Sequence, residues 1–139
     1  MELIESQDYE KAVHSIKSAM AGYYAAANLA WDDEQKLHAY RHCRLWNICD
    51  GNQCVGFAMA RVEGEHIFLA ELHIAEEYRN SGYGSGALQL MNKMAADMGY
   101  SEIRLRAFKN NPAIRLYLRS GFKMESEHPY TFQLLASTR

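Results

Sequence analysis

Proline and cysteine are scarce in this chain, at two and three in 139 residues. Cys43, Cys49 and Cys54 are an odd set at no framework spacing, so a disulfide scaffold is not indicated. They read as reduced core thiols. With His42 they lack the short paired gaps of a zinc site, so no metal is expected. No apolar run approaches the about 18 residues of a membrane span. No Lys/Arg run exists and the formal charge is −2, so the footprint of a nucleic-acid binder is missing. No charged-then-apolar leader stands at Met1-Glu2-Leu3, and the default expectation is a cytoplasmic location. Repeats, low-complexity segments and Pro/Gly/Ser linkers are all absent, so residues 1–139 read as one domain. Whether that domain forms a homodimer stays open.

What is present is an alternation of strand and helix patterns. Leu3-Ile4 is a short strand. Tyr9, Val13, Ile16 and Met20 recur at helical spacing, and Ala21 to Ala30 fits no single state. Asp32 caps a second helix reaching about Cys43, with Gln35 three residues on. Trp46–Cys49 and Cys54–Val62 are strands joined at Asp50-Gly51-Asn52. His66–Ile74 is the fourth strand. Leu88, Met91, Ala95 and Met98 line one helix face, which Gly99 ends. Ile103 to Ala107 alternates as the fifth strand. Asn111 and Pro112 start a helix, Gly121 ends it, and Phe122–Ser126 with Tyr130–Leu135 make a closing hairpin. The order βααβββαβαββ predicts a mixed α/β (α+β) domain around one sheet.

The chemistry sits in Arg79-Asn80-Ser81-Gly82-Tyr83-Gly84-Ser85, between the fourth strand and a helix start. Glycines there let the backbone approach a ligand. The first helix amides have no intrahelical partner, so the loop is an anion site of the kind that holds phosphate. Gly82-x-Gly84-x-x-Ala87 also fits a dinucleotide fingerprint. That reading needs a strand running directly into the first glycine and an acid at the end of the next strand. The polar run Glu76 to Asn80 and the ending Ala107-Phe108-Lys109 supply neither. A Walker loop would need Gly-Lys-Ser/Thr, which is missing.

Arg79-x-x-Gly82-x-Gly84, together with Asn110-x-x-Ala113-x-x-x-Tyr117-x-x-x-Gly121-Phe122, resembles the GNAT superfamily of acetyl-CoA-dependent N-acetyltransferases. The likeness is strong from Ile67 to Phe122; Asn80 stands where many members carry glycine. The resemblance implies a central, mostly antiparallel sheet with helices on both faces, and acetyl-CoA as co-substrate, lying where the fourth and fifth strands splay apart. Amides of Leu72, His73 and Ile74 would hold the pantetheine arm, and those of Arg79 to Ser85 the pyrophosphate. Asn110 and Ala113 would border the same arm. Tyr117 would be the general acid for the departing thiolate, and an acid on the fourth strand the base.

Glu71 interrupts an otherwise apolar strand, and strict alternation puts Ile67, Leu69, Glu71 and His73 on one face. Glu71 is the candidate base, with His73 or water as alternatives. The acceptor is expected to be a small primary amine, drawn by Asp32, Asp33 and Glu34, in a pocket built by Ala21–Trp31 and the hairpin near His128-Pro129. The resemblance implies that the amine attacks the thioester directly, with no covalent enzyme intermediate; no cysteine falls in either motif to supply one. A non-catalytic acyl-CoA sensor of the same fold shares every loop feature; only amine-dependent thiol release separates the two.

Overall fold

The computed structural model describes all 139 residues. The strands and helices follow the expected order: β1 (Glu2–Glu5), α1 (Tyr9–Ala26), α2 (Asp33–Tyr40), β2 (Arg44–Asp50), β3 (Gln53–Glu63), β4 (His66–Ile74), α3 (Tyr83–Asp97), β5 (Glu102–Phe108), α4 (Ala113–Arg119), β6 (Lys123–Glu127) and β7 (Thr131–Ser137). They form a seven-stranded sheet in the order β1-β2-β3-β4-β5-β7-β6. Every pairing is antiparallel except β4–β5. Of the stretch that fitted no single state, Ala21 to Ala26 are the last turns of α1, where alanines and the two tyrosines continue the helix, and the residues from Ala27 to Ala30 leave it in a turn. A short 3₁₀ turn, Glu76–Tyr78, joins β4 to the glycine loop.

The two faces of the sheet bury different helices. On one face α3 and α4 pack Ala87, Leu88, Met91, Ile114 and Tyr117 against Ile67, Leu69 and Leu105. On the other, α1 and α2 cover Leu45 and Met59 with Tyr9, Ile16, Leu37 and Tyr40. Met98, expected on the core stripe of α3, is exposed because the helix ends at Asp97 and Gly99 turns away at φ +90°. Cys43 and Cys49 are buried, but Cys54 is exposed at the start of β3, so the core reading of the thiols fails there.

Alternation along β4 is broken. Met59 pairs with Glu71 and Ala60 with Leu69, so Ala70 has no partner across the ladder. This bulge turns the strand over by one residue. Ile67 and Leu69 therefore share the α3/α4 face with Leu72 and Ile74, whereas Glu71 aligns with Met59 on the α1/α2 face. The single face expected for Ile67, Leu69, Glu71 and His73 is corrected accordingly.

Candidate active site

The parallel β4–β5 ladder holds for only three pairs, ending at Leu69 and Leu105. Beyond it β4 stays on β3 through Ile74, while β5 stays on β7 through Phe108. The strands part, and a cavity of about 700 Å³ opens between them, lined from Leu69 to Ile74 and from Leu105 to Phe108. α4 closes one side with Ala113, Leu116 and Tyr117, and the glycine loop closes the end.

That loop presents a row of unpaired amides, an arrangement that can hold an anion. Asn80 (φ +61°) and Gly82 (φ +85°) both take the left-handed conformation. The amides of Asn80, Ser81, Gly82, Tyr83, Gly84 and Ser85 find no acceptor within the protein; the first α3 bond onto the loop is Gly86 N–H to Gly82 O. Successive unpaired amides at a helix start, with alternating hand, form a nest for phosphate oxygens. A Cβ at Gly82 would meet nothing within 4 Å, so open space lies over the nest. The donor set thus fits the pyrophosphate of a coenzyme A. Arg79 fixes the loop to β4, its Nε donating to Ile74 O at 3.0 Å. Tyr83 Oη donates to Asp50 Oδ2 at 2.8 Å and ties the head of α3 to the β2–β3 turn.

At the other end of the cavity Glu71 is half-buried and held at both oxygens. Tyr40 Oη donates to Oε2 at 2.9 Å, and His73 Nε2 lies 2.6 Å from Oε1. His73 stacks on Phe57. Aromatic rings surround this end: Tyr23 stacks on Phe108 at 5.4 Å, and Tyr24 meets Phe108 edge-on. Burial, then the charge of Glu71, raises the Tyr40 phenol above its ordinary value. The same two causes raise Tyr117, which is 8% exposed. Glu71 therefore acts on both phenols, and both stay protonated across the neutral range.

The cavity gathers most of the expected residues: Glu71, Leu72, His73, Ile74, Arg79, Asn80, Gly82, Tyr83, Gly84, Ser85, Ala113 and Tyr117. Ser81 is exposed and does not line it, although its amide belongs to the nest. Asn110 is exposed and lies outside the lining; its neighbour Asn111 lines the groove and accepts from Ala113 N–H at 2.9 Å. Neither His128 nor Pro129 reaches the cavity; its Glu71 end is walled by Ile16, Met20, Tyr23, Tyr24 and Tyr40. Asp32, Asp33 and Glu34 are not in the wall either. Asp32 caps α2 through Gln35 N–H, and Asp33 binds Lys17 and the Trp31 indole. Lys17 first, then Trp31, holds the Asp33 carboxyl below its usual value.

Tyr40 and Gly56 escaped the sequence reading. Tyr40 lies on α2 outside both motifs, and its link to Glu71 spans 31 positions. Gly56 pairs with Ile74, and a Cβ there would collide with His73 O, so only glycine lets β3 lie this close beside β4. Its signal was a glycine inside a strand, which marks close backbone approach.

Comparison with known proteins adds ancestry to the geometry. The Acetyltransferase (GNAT) family matches residues 11–122. The chain is 31% identical over 88 residues to the uncharacterized N-acetyltransferase YycN of Bacillus subtilis (strain 168), across 59% of this chain and 56% of that one. It is 30% identical over 115 residues to the spermine/spermidine N(1)-acetyltransferase of the same organism, across 76% of this chain and 74% of that protein. The chain therefore spans little more than half of YycN. In fold it resembles the PaiA N-acetyltransferase of Thermoplasma acidophilum crystallised with coenzyme A, at TM-score 0.72, 16% identity and 99% coverage of both chains. With the profile covering most of its length, from α1 to the residue after Gly121, this chain belongs to the GNAT acetyltransferase family, whose co-substrate is acetyl-CoA.

Proposed function

We propose that the protein transfers the acetyl group of acetyl-CoA to a small primary amine that is cationic in solution. The observation that carries this reading is Glu71: a carboxylate held by Tyr40 and His73 in an aromatic recess, on the strand edge where the sheet parts. Acetyl-CoA supplies an activated thioester, and the chain's residues do the rest. The amides from Asn80 to Ser85 bind the pyrophosphate, and the free edge of β4 at Leu72–Ile74 aligns the arm. Glu71 attracts the ammonium and, with His73 beside it, takes the proton that the amine must lose before attack. Rings of Tyr23, Tyr24 and Phe108 favour a cation with an apolar stem and exclude water. The Tyr117 hydroxyl, which no protein group engages, donates to the sulfur as it departs. Burial and Glu71 make this phenol a weak acid, so its work is a hydrogen bond to developing thiolate, with full proton transfer late.

The spermine/spermidine relative acts on amines of this class, in agreement with the recess. Asp32 to Glu34 do not line the recess: Asp32 caps α2 and Asp33 pairs with Lys17 of α1, so the attraction for a cation falls to Glu71. The test is release of CoA thiol from acetyl-CoA across a panel of diamines, amino acids and uncharged amines. Diamines should be preferred. Thiol release that ignores the amine, or a preference for anionic acceptors, contradicts the reading.

A further inference from the structure

Cys49 and Cys54 stand directly opposite each other across the β2–β3 ladder, one residue before and after the closing pair Asp50–Gln53. Their sulfurs are 2.8 Å apart. That is inside the separation of two unbonded sulfurs and within about 1 Å of a bond length. Three features make the pair unlike two core thiols that happen to be neighbours. Val55 has no partner in the ladder, so the bulge beside it sets the two Cys residues face to face. Cys54 is exposed and reachable, whereas Cys49 is buried. The turn they flank carries Asp50, which holds Tyr83 at the head of the anion nest.

We infer that Cys49 and Cys54 form a dithiol site that a low-molecular-weight disulfide closes into a cross-strand disulfide, and that the closed form steadies the nest through Asp50 and Tyr83. The second clause rests on the reading of the nest as the coenzyme A site. The chemistry balances without a further oxidant. The Cys54 thiolate attacks one sulfur of the external disulfide, forming a mixed disulfide and releasing the first thiolate. Cys49 loses its proton and attacks the Cys54 sulfur, forming the internal bond and releasing the second thiolate. Two protein thiols and one external disulfide become one protein disulfide and two external thiols. Cys54 must act first: burial and its hydrogen bond to Cys54 push the Cys49 thiol up to about 11. Cys49 then acts as the resolving thiol, its sulfur already in contact.

The bond closes a loop from Cys49 to Cys54 at the end of a hairpin, so the conformations of the Asp50 turn shrink in number. A nest held ready in this way binds its anion with less ordering cost.

The experiment treats the folded protein with oxidised glutathione and maps thiols after quenching. Thiols titrated in denaturant should fall from three to one. The fragment from Leu45 to Arg61, which contains both residues, should lose two hydrogens in mass. Dithiothreitol should restore both values, and Cys54→Ser should prevent the loss. Oxidised protein should melt about 3–8 °C higher and bind coenzyme A about two- to fivefold more tightly, the affinity gain vanishing in Tyr83→Phe. Retention of three free thiols, or glutathione left attached to Cys54, overturns the site. Equal coenzyme A affinity in the two forms overturns the coupling. If neither form binds coenzyme A, the coupling fails together with the coenzyme reading of the nest, while mass and melting still decide the disulfide.

Discussion

Replacing Glu71 by Gln keeps the shape of the recess and removes its charge. The amide oxygen can still accept from Tyr40, and the amide nitrogen can donate to His73 Nε2 once that ring carries its proton on Nδ1, so both positions keep a hydrogen-bond partner. An alkyl ammonium with a pKa near the lysine value of about 10.4 is roughly one part in a thousand free base at pH 7.4. A residue that deprotonates it in place can therefore contribute up to about 10³-fold at that pH, within the 10²–10⁴ range of general base catalysis. The variant depends on free amine from solution, whose share rises tenfold per pH unit. The gap between parent and variant should be about 10²–10³-fold at pH 7.4 and close to within about fivefold by pH 10. Initial rates of CoA-thiol release from pH 7 to 10, with a saturating diamine, read this directly. Urea unfolding of both proteins at pH 7.4 checks that the fold is unchanged. A constant gap across the range, or a gap below about threefold at pH 7.4, refutes Glu71 as base and moves that role to His73 or water.

Tyr117→Phe deletes a hydroxyl that has no protein partner, so melting should change little while turnover with acetyl-CoA falls about 10²-fold. Coenzyme A affinity by calorimetry should be preserved, and a rate within about threefold of the parent returns Tyr117 to a packing role. Gly82→Val forces a β-branched residue into φ +85° and sets methyls in the open space over the nest, so coenzyme A binding should be lost at a fold cost of about 1–2 kcal/mol. Unchanged affinity for coenzyme A would contradict the nest. Tyr40→Phe should destabilise the protein below pH 10, because it removes the hydrogen bond that the phenol gives to Glu71; above pH 10 the unfolded chain releases a proton that the folded phenol, raised by burial, still keeps. Above pH 10 the parent loses this advantage, and the difference in urea midpoint should shrink, by up to about 1.4 kcal/mol per pH unit. A difference that grows above pH 10 has the wrong sign.

The parts legible in the sequence are those fixed by local chemistry. Gly82 and Gly84 at a helix start and the Asn111-Pro112 entry to α4 are short-range signals, and α3 and α4 begin where they pointed. Asp32 was also legible as a cap, and that is why it does not serve as a steering charge. The misreadings are long-range. One unpaired residue, Ala70, reversed the face of Glu71, and no composition rule marks a bulge there. Asn110 and Asn111 are adjacent, and which of them meets the groove depends on how the turn after Phe108 folds back. Tyr40 reaches Glu71 only because α2 packs over the sheet, a relation that periodicity within α2 does not carry.

The most direct measurement is an amide-resolved NMR titration of the protein with acetyl-CoA, with pantetheine as the comparison. The amides of Asn80 to Ser85 have no acceptor in the protein, so coenzyme phosphates should move them strongly. Pantetheine, which has no phosphate, should leave them in place while still perturbing Leu72 to Ile74. Large shifts in both segments with acetyl-CoA, and in β4 alone with pantetheine, are the expected result. Silent nest amides at saturating acetyl-CoA, or equal shifts with both compounds, would contradict the placement of the co-substrate and with it the role of Glu71.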